Sequence, residues 1–244
     1  MPVHERYKQF QKDQRQFFDE LIAEDWITYQ SEEWDYTRKF EVKQLFRHIK
    51  PARILDVGCG VGFHDVVMAE YPFVEHVDAF DYSEQSVVRA NREYSHLKIN
   101  RFVADFISFK VEQPYDMVIS FQVFEHLAEP EKYLAFCVDA CCKGGVVGIC
   151  TPNRLRFDNR LLIRNGQPPV LVDVMHFREY TAKEIYRMGR QFGLKPSGWF
   201  GHTLYLSSSW ASSWSAKWNY RQRTQMGYLF PHIAHVMCVL LRKG

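Results

Sequence analysis

Between Ile54 and Phe63 the chain reads I-L-D-V-G-C-G-V-G-F, which sets a carboxylate, Asp56, before three glycines at alternate positions, Gly58, Gly60 and Gly62. Glycines so spaced let the backbone turn sharply with little side-chain bulk, so that a ligand can lie against the main chain. An apolar helical pattern follows at once, and the N–H donors at a helix start favour electron-rich groups. A second acid, Asp81, opens Asp81-Tyr82-Ser83 after another apolar run. A carboxylate at that point can accept bonds from both hydroxyls of a ribose. The chemistry is therefore the grip of a nucleotide-type ligand, and spacing decides which. A dinucleotide loop needs G-x-G-x-x-G with a third glycine packing helix on strand; here that position is Phe63.

These residues need strands that end at one edge of a sheet. Short runs rich in branched side chains recur at Ile54–Asp56, Val77–Phe80, Ile99–Val103, Tyr115–Ser120 and Val146–Cys150, with helical patterns between them over Asp65–Tyr71 and Pro130–Cys142. Lys143-Gly144-Gly145 reads as a turn before the fifth run. Such alternation predicts an α/β fold, a doubly wound and mostly parallel sheet with helices on both faces. Ligands then sit at the carboxyl ends of the strands, where Asp56, Asp81, Asp105 and Phe121 all fall.

With D-x-G-x-G-x-G, the acid of Asp81-Tyr82-Ser83, Ala104-Asp105-Phe106, Phe121-Gln122-Val123-Phe124-Glu125-His126, Thr151-Pro152-Asn153 and His176-Phe177-Arg178-Glu179-Tyr180 in that order, residues 50 to 200 resemble the class I S-adenosylmethionine-dependent methyltransferases. Within that group they look like the branch of ubiquinone-type and other small-molecule enzymes. The resemblance implies a seven-stranded sheet whose last strand, His235–Leu241, is antiparallel to its neighbours. It implies S-adenosylmethionine as cofactor, leaving as S-adenosylhomocysteine. It assigns cofactor contacts to Asp56, Gly58, Cys59, Gly60, Gly62, Asp81, Tyr82, Ser83, Asp105, Phe106, Phe121 and Gln122, with Asp105 reaching the adenine amino group and Phe106 covering the ring. In related enzymes an N-terminal cap folds over the cofactor, which makes Trp34 and Tyr36 wall residues of the active site or simple packing.

Transfer to an oxygen requires a proton to leave, and a histidine is the usual helper. His126 and His176 coincide with family histidines near the acceptor and are the catalytic candidates, each balanced against a structural role. Some relatives bind a divalent cation through Glu-x-x-Glu-His after the fourth strand. Here the first acid is Gln122, and one lost carboxylate weakens a hard-cation site, so metal-independent transfer is expected.

With 244 residues, 46% of them hydrophobic and 25% charged, the chain suits one globular unit rather than a disordered or fibrous one. The reading divides it into a helical cap, 1–50, and a cofactor-binding domain, 51–244, with acceptor-side insertions at 151–180 and 202–232. Net charge is +2 without a long basic block, which disfavours nucleic acid as a partner. No run reaches membrane-span length and the polar start lacks a signal peptide's apolar region, so a cytoplasmic protein with its six cysteines reduced is expected. Arg156, Arg160 and Arg164 are spaced for one helix face and could bind an anionic acceptor group; a solvated face is the commoner explanation. Trp210, Trp214 and Trp218 repeat that spacing, as a lid, an acceptor floor, a membrane contact or plain packing. A small-molecule acceptor is the reading adopted. A non-catalytic binding module and an RNA 2′-O-methyltransferase stay open beside it.

Overall fold

The computed structural model describes residues 14–20, 22, 31–173, 175–206 and 217–244. Seven strands, β1 (Arg53–Val57), β2 (His76–Asp81), β3 (Ile99–Val103), β4 (Tyr115–Phe121), β5 (Cys141–Pro152), β6 (Leu194–His202) and β7 (Val236–Lys243), form one sheet in the order β3-β2-β1-β4-β5-β7-β6. The pairs β1–β2, β1–β4, β2–β3 and β4–β5 are parallel, and β7 runs antiparallel to both β5 and β6. Strand order reverses between β1 and β4, and the carboxyl ends of those two strands open the crevice where a ligand fits such a sheet.

Period-two side chains explain why both faces are covered. Leu55, Val57, Val118, Val147 and Ile149 point to one face, where they pack with Tyr133 and Leu134 of helix Pro130–Ala140 and Ile185 of helix Ala182–Gln191. Ile54, Met117, Ile119, Val146 and Cys150 point to the other, against Val42 and Leu45 of α1 (Glu32–Leu45) and Val67 and Met68 of α2 (Phe63–Ala69). Several helix starts are capped by side chains. Ser31 caps α1 through the Trp34 N–H, Ser83 caps helix Glu84–Glu93 through Ser86 N–H, and Thr181 with Glu184 forms a capping box.

Two expectations are corrected. Lys143-Gly144-Gly145 is not a turn before β5 but lies inside it: the ladder pairs Tyr115 with Cys141 and then jumps to Met117 with Val146. Gly144 takes a left-handed φ of 79° within that irregularity, which is the conformation that made the segment look like a turn. The cysteines are not all reduced. Cys150 and Cys238 face each other across the β5–β7 ladder and form a disulfide. Among the described residues no helix is long and apolar enough to cross a membrane.

Candidate functional site

The glycine loop joins β1 to α2 with left-handed φ at Gly58 (75°), Gly60 (53°) and Gly62 (79°). Space differs among the three. A Cβ at Gly58 would lie 2.5 Å from Val123 Cγ2, and one at Gly62 would lie 2.8 Å from the Arg101 guanidinium, whereas a Cβ at Gly60 would meet nothing within 4 Å. The four amides of Gly58, Cys59, Gly60 and Gly62 are already engaged within the fold. Gly58 N–H (2.8 Å) and Cys59 N–H (3.0 Å) both donate to the Phe80 carbonyl, and Gly62 N–H donates to that of Cys59 (3.0 Å). What the loop offers is shape, with Gly60 as its open point.

Asp81 ends β2 beside this opening. Its Oδ2 accepts Gly60 N–H (2.9 Å) and its Oδ1 accepts Ser83 N–H (2.8 Å), so each oxygen keeps a lone pair for a hydroxyl. Burial raises its pKa to about 6, against the two amide bonds that favour the anion. Asp56 is placed differently from expectation. It is 1% exposed and packed against Asp65, and burial followed by that second carboxylate raises its pKa well above the usual carboxylate range. It therefore supports the loop from beneath, in a group that includes the Arg101–Asp65 ion pair (2.9 Å), while Arg101 Nη2 donates to the Gly62 carbonyl (3.3 Å). Asp105 is exposed and caps its own turn, accepting N–H bonds from Ile107 (2.9 Å) and Ser108 (2.7 Å) on one oxygen. Phe106 packs edge-on against Tyr133, with ring centroids 5.8 Å apart. Gln122 has a φ of 57°, unusual for a side-chain-bearing residue, directly after Phe121 at the end of β4. Tyr82 is half-buried, and burial raises its phenol pKa.

His126 and His176 come together with ring centroids 4.7 Å apart. His126 Nδ1 lies 3.1 Å from the Met175 carbonyl, so that nitrogen carries the proton and Nε2 the lone pair. Burial first, and the neighbouring His176 second, lower its pKa to about 4. His176 Nδ1 lies 3.3 Å from Glu179 Oε1, which fixes the same tautomer on that ring. Beneath them Glu125 is fully buried; its Oε2 accepts the Thr151 hydroxyl (2.8 Å), its Oε1 has no partner, and burial raises its pKa to about 7. Glu125, His126 and His176 bring one ligand atom each within 4.8 Å of one another, so a cation site is geometrically open here even with Gln122 at the first acid position.

Residues 14–19 touch both the histidine pair and the Asp81 side. Gln14 Nε2 donates to the Met175 carbonyl (3.0 Å), Phe18 meets the His126 ring edge-on at 5.4 Å, and Asp19 accepts the Ser83 hydroxyl. On α1, Trp34 and Tyr36 part company. Arg38 lies over both the Trp34 ring (5.2 Å) and the Phe63 ring (4.8 Å), which puts Trp34 toward the glycine loop. Tyr36 packs on Tyr220 (5.7 Å), away from it. The arginine row does not share a face. Arg156 precedes the first residue of helix Phe157–Arg164 in an extended conformation, turns inward and pairs with buried Glu179, while Arg160 is exposed with Nε on the Leu155 carbonyl (3.1 Å). Trp210 and Trp214 lie outside the described residues.

Sequence reasoning missed a third cluster. Glu41 of α1 is buried and accepts His64 Nε2 on one oxygen and His202 Nε2 on the other, both at 2.8 Å. The His64 ring lies flat on Phe121, centroids 3.7 Å apart at 7°. No local pattern links positions 41, 64 and 202; the one available signal was a histidine two places after the last loop glycine.

Comparison with known proteins fits this geometry. Residues 29–197 match a family described as a methyltransferase domain. A probable S-adenosylmethionine-dependent methyltransferase of Mycolicibacterium smegmatis is 28% identical over 167 residues, 68% of this chain and 61% of that protein. The ubiquinone biosynthesis O-methyltransferase of Maricaulis maris is 31% identical over 112 residues, 44% of this chain and 43% of that protein. The matches thus span less than two thirds of the length of either relative. Among solved structures, magnesium protoporphyrin IX methyltransferase from Synechocystis with S-adenosylhomocysteine bound superposes with a TM-score of 0.67 at 14% identity, covering 96% of this chain and all of the other. At that identity the likeness is one of fold.

Proposed function

This chain belongs to the methyltransferase-domain family, and from that premise we propose that it transfers a methyl group from S-adenosylmethionine to an oxygen of a small-molecule acceptor. The observation that carries the reading is the juxtaposition of two half-sites at neighbouring strand ends: the Gly60–Asp81 opening and the His126–His176 pair. Open space at Gly60 and a spare lone pair on each Asp81 oxygen fit an adenosine. The cofactor supplies a methyl group already activated on a sulfonium, so the protein's task is alignment and proton removal. Trp34, on the glycine-loop side, walls the cofactor, and Tyr82, Ser83, Asp105 and Phe106 lie at its adenosine end.

His176 is the better base of the two histidines. Glu179 holds its Nδ1–H, leaves Nε2 for the acceptor hydroxyl, and stabilises the imidazolium that forms. His126, whose pKa of about 4 leaves it neutral at pH 7, accepts a hydrogen bond and orients the acceptor. The acceptor pocket is assigned to the described residues of 151–180 and 202–232, beside residues 14–20 and α1. Arg156 shapes that pocket through Glu179, and Arg160 stays at its exposed rim. A second reading is favoured by the Glu125, His126 and His176 cluster: a divalent cation there would take over activation of the acceptor oxygen.

Methyl-labelled S-adenosylmethionine, incubated with the protein and an extract split into polar, lipid, nucleic-acid and protein fractions, tests the proposal. Label in a small-molecule fraction, retained after exhaustive chelation and reduced at least a hundredfold by His176→Ala, is the expected result. Label lost on chelation and restored by magnesium would establish the second reading. Label in the nucleic-acid fraction would move the acceptor to RNA, and no label with cofactor bound would favour a non-catalytic module.

A further inference from the structure

On the cofactor reading an adenosine sits at Asp81, on the β2–β3 side of β1. A longer ligand laid there therefore runs across the glycine loop toward β4, where it meets Phe121 with His64 stacked on its ring. The proton on His64 is placed by its neighbours. Glu41 is an ionised carboxylate: burial opposes its charge, but His202 and then His64 outweigh that and hold its pKa down to about 2. An ionised carboxylate only accepts, so both imidazoles donate to it through Nε2–H. Nδ1 of His64 is left as the ring's lone-pair acceptor. Burial keeps the ring from taking a second proton, with Arg38 acting in the same sense and the Glu41 bond and charge in the opposite one; the net pKa is lowered.

We infer that His64 binds the ammonium of the cofactor's amino-acid end through Nδ1, and that Glu41 is the positioning residue that sets its tautomer. This rests on the cofactor reading above and extends it to the half of the ligand that Asp81 does not reach. A purely structural role for the cluster, as a buried link between α1, α2 and the end of β6, makes a different prediction, because it would affect every ligand of the site equally.

Calorimetric titration with two ligands separates the two: S-adenosylhomocysteine, which carries the amino-acid end, and 5′-methylthioadenosine, which lacks it. His64→Ala is expected to weaken S-adenosylhomocysteine about tenfold, the worth of one hydrogen bond to a charged group, and to leave methylthioadenosine within twofold. His64→Asn, which keeps an acceptor, should recover part of the loss. Glu41→Gln should act in the same direction and more weakly, since an amide oxygen still accepts from one imidazole. Equal weakening of both ligands by His64→Ala, or no weakening of either, overturns the assignment. A wild-type protein that binds neither ligand overturns the cofactor reading and this inference with it.

Discussion

In the proposed reading Asp81 concentrates the binding chemistry in one side chain, and its ionisation sets a pH limit. Its pKa is raised to about 6 by burial, so it is an anion above that value and gains a proton below it. A protonated carboxyl loses part of the acceptor capacity that two ribose hydroxyls require. Affinity for S-adenosylhomocysteine should therefore hold from pH 8 to about 6.5 and fall through 6. Asp81→Asn should bind weakly at every pH with the inflection gone, and an inflection that survives in the variant would assign it to another group. Asp81 and the glycines stood out in the sequence because a strand end and the loop after it are local, whereas the burial of Asp56 depends on Asp65 and Arg101 packed around it. Glu41, His64 and His202 did not stand out, because only the folded sheet brings 41 and 202 to the residue after the loop.

The loop and strands show where pattern reading stops. Alternation of apolar runs with helical patterns predicted a sheet covered on both faces, and the antiparallel final strand lies where the resemblance put it. The start of β5 was misread because a left-handed Gly144 signals a turn whether or not the strand resumes through it. The row of arginines failed for a related reason: spacing by four defines a face only inside a helix, and Arg156 stands just outside one. Within the glycine loop the structure separates two roles that the motif cannot. Gly58→Ala forces a Cβ to 2.5 Å from Val123 and is expected to lower thermal stability. Gly60→Ala meets no atom, so beyond a left-handed backbone cost of about 1 kcal/mol its effect should fall on cofactor affinity. Thermal melts and calorimetry on the two variants distinguish these outcomes; equal melting losses with unchanged affinity would contradict the division.

At the scale of the whole molecule, one buried carboxylate links elements far apart in sequence. Glu41 ties α1 to α2 and to the end of β6, and its partner His202 precedes Thr203, whose φ is 58°. Its folded pKa of about 2 lies below the 4.5 of a free glutamate, so its stabilising contribution is complete above pH 4.5 and is lost as pH falls toward 2. Denaturant unfolding should show Glu41→Gln less stable than wild type by roughly 3 kcal/mol at pH 7, the scale for weakening two buried hydrogen bonds to a charged group, with the gap closing below pH 4. A gap independent of pH would assign the loss to packing. The Gly60–Asp81 opening as a site for S-adenosylmethionine is the claim on which the rest depends, and calorimetric titration of wild type and Asp81→Ala with S-adenosylhomocysteine, alongside NAD, tests it most directly. Stoichiometric binding of S-adenosylhomocysteine that the variant loses, with no binding of NAD, is the predicted result. Binding of NAD alone, or S-adenosylhomocysteine binding indifferent to the loss of Asp81, would contradict it.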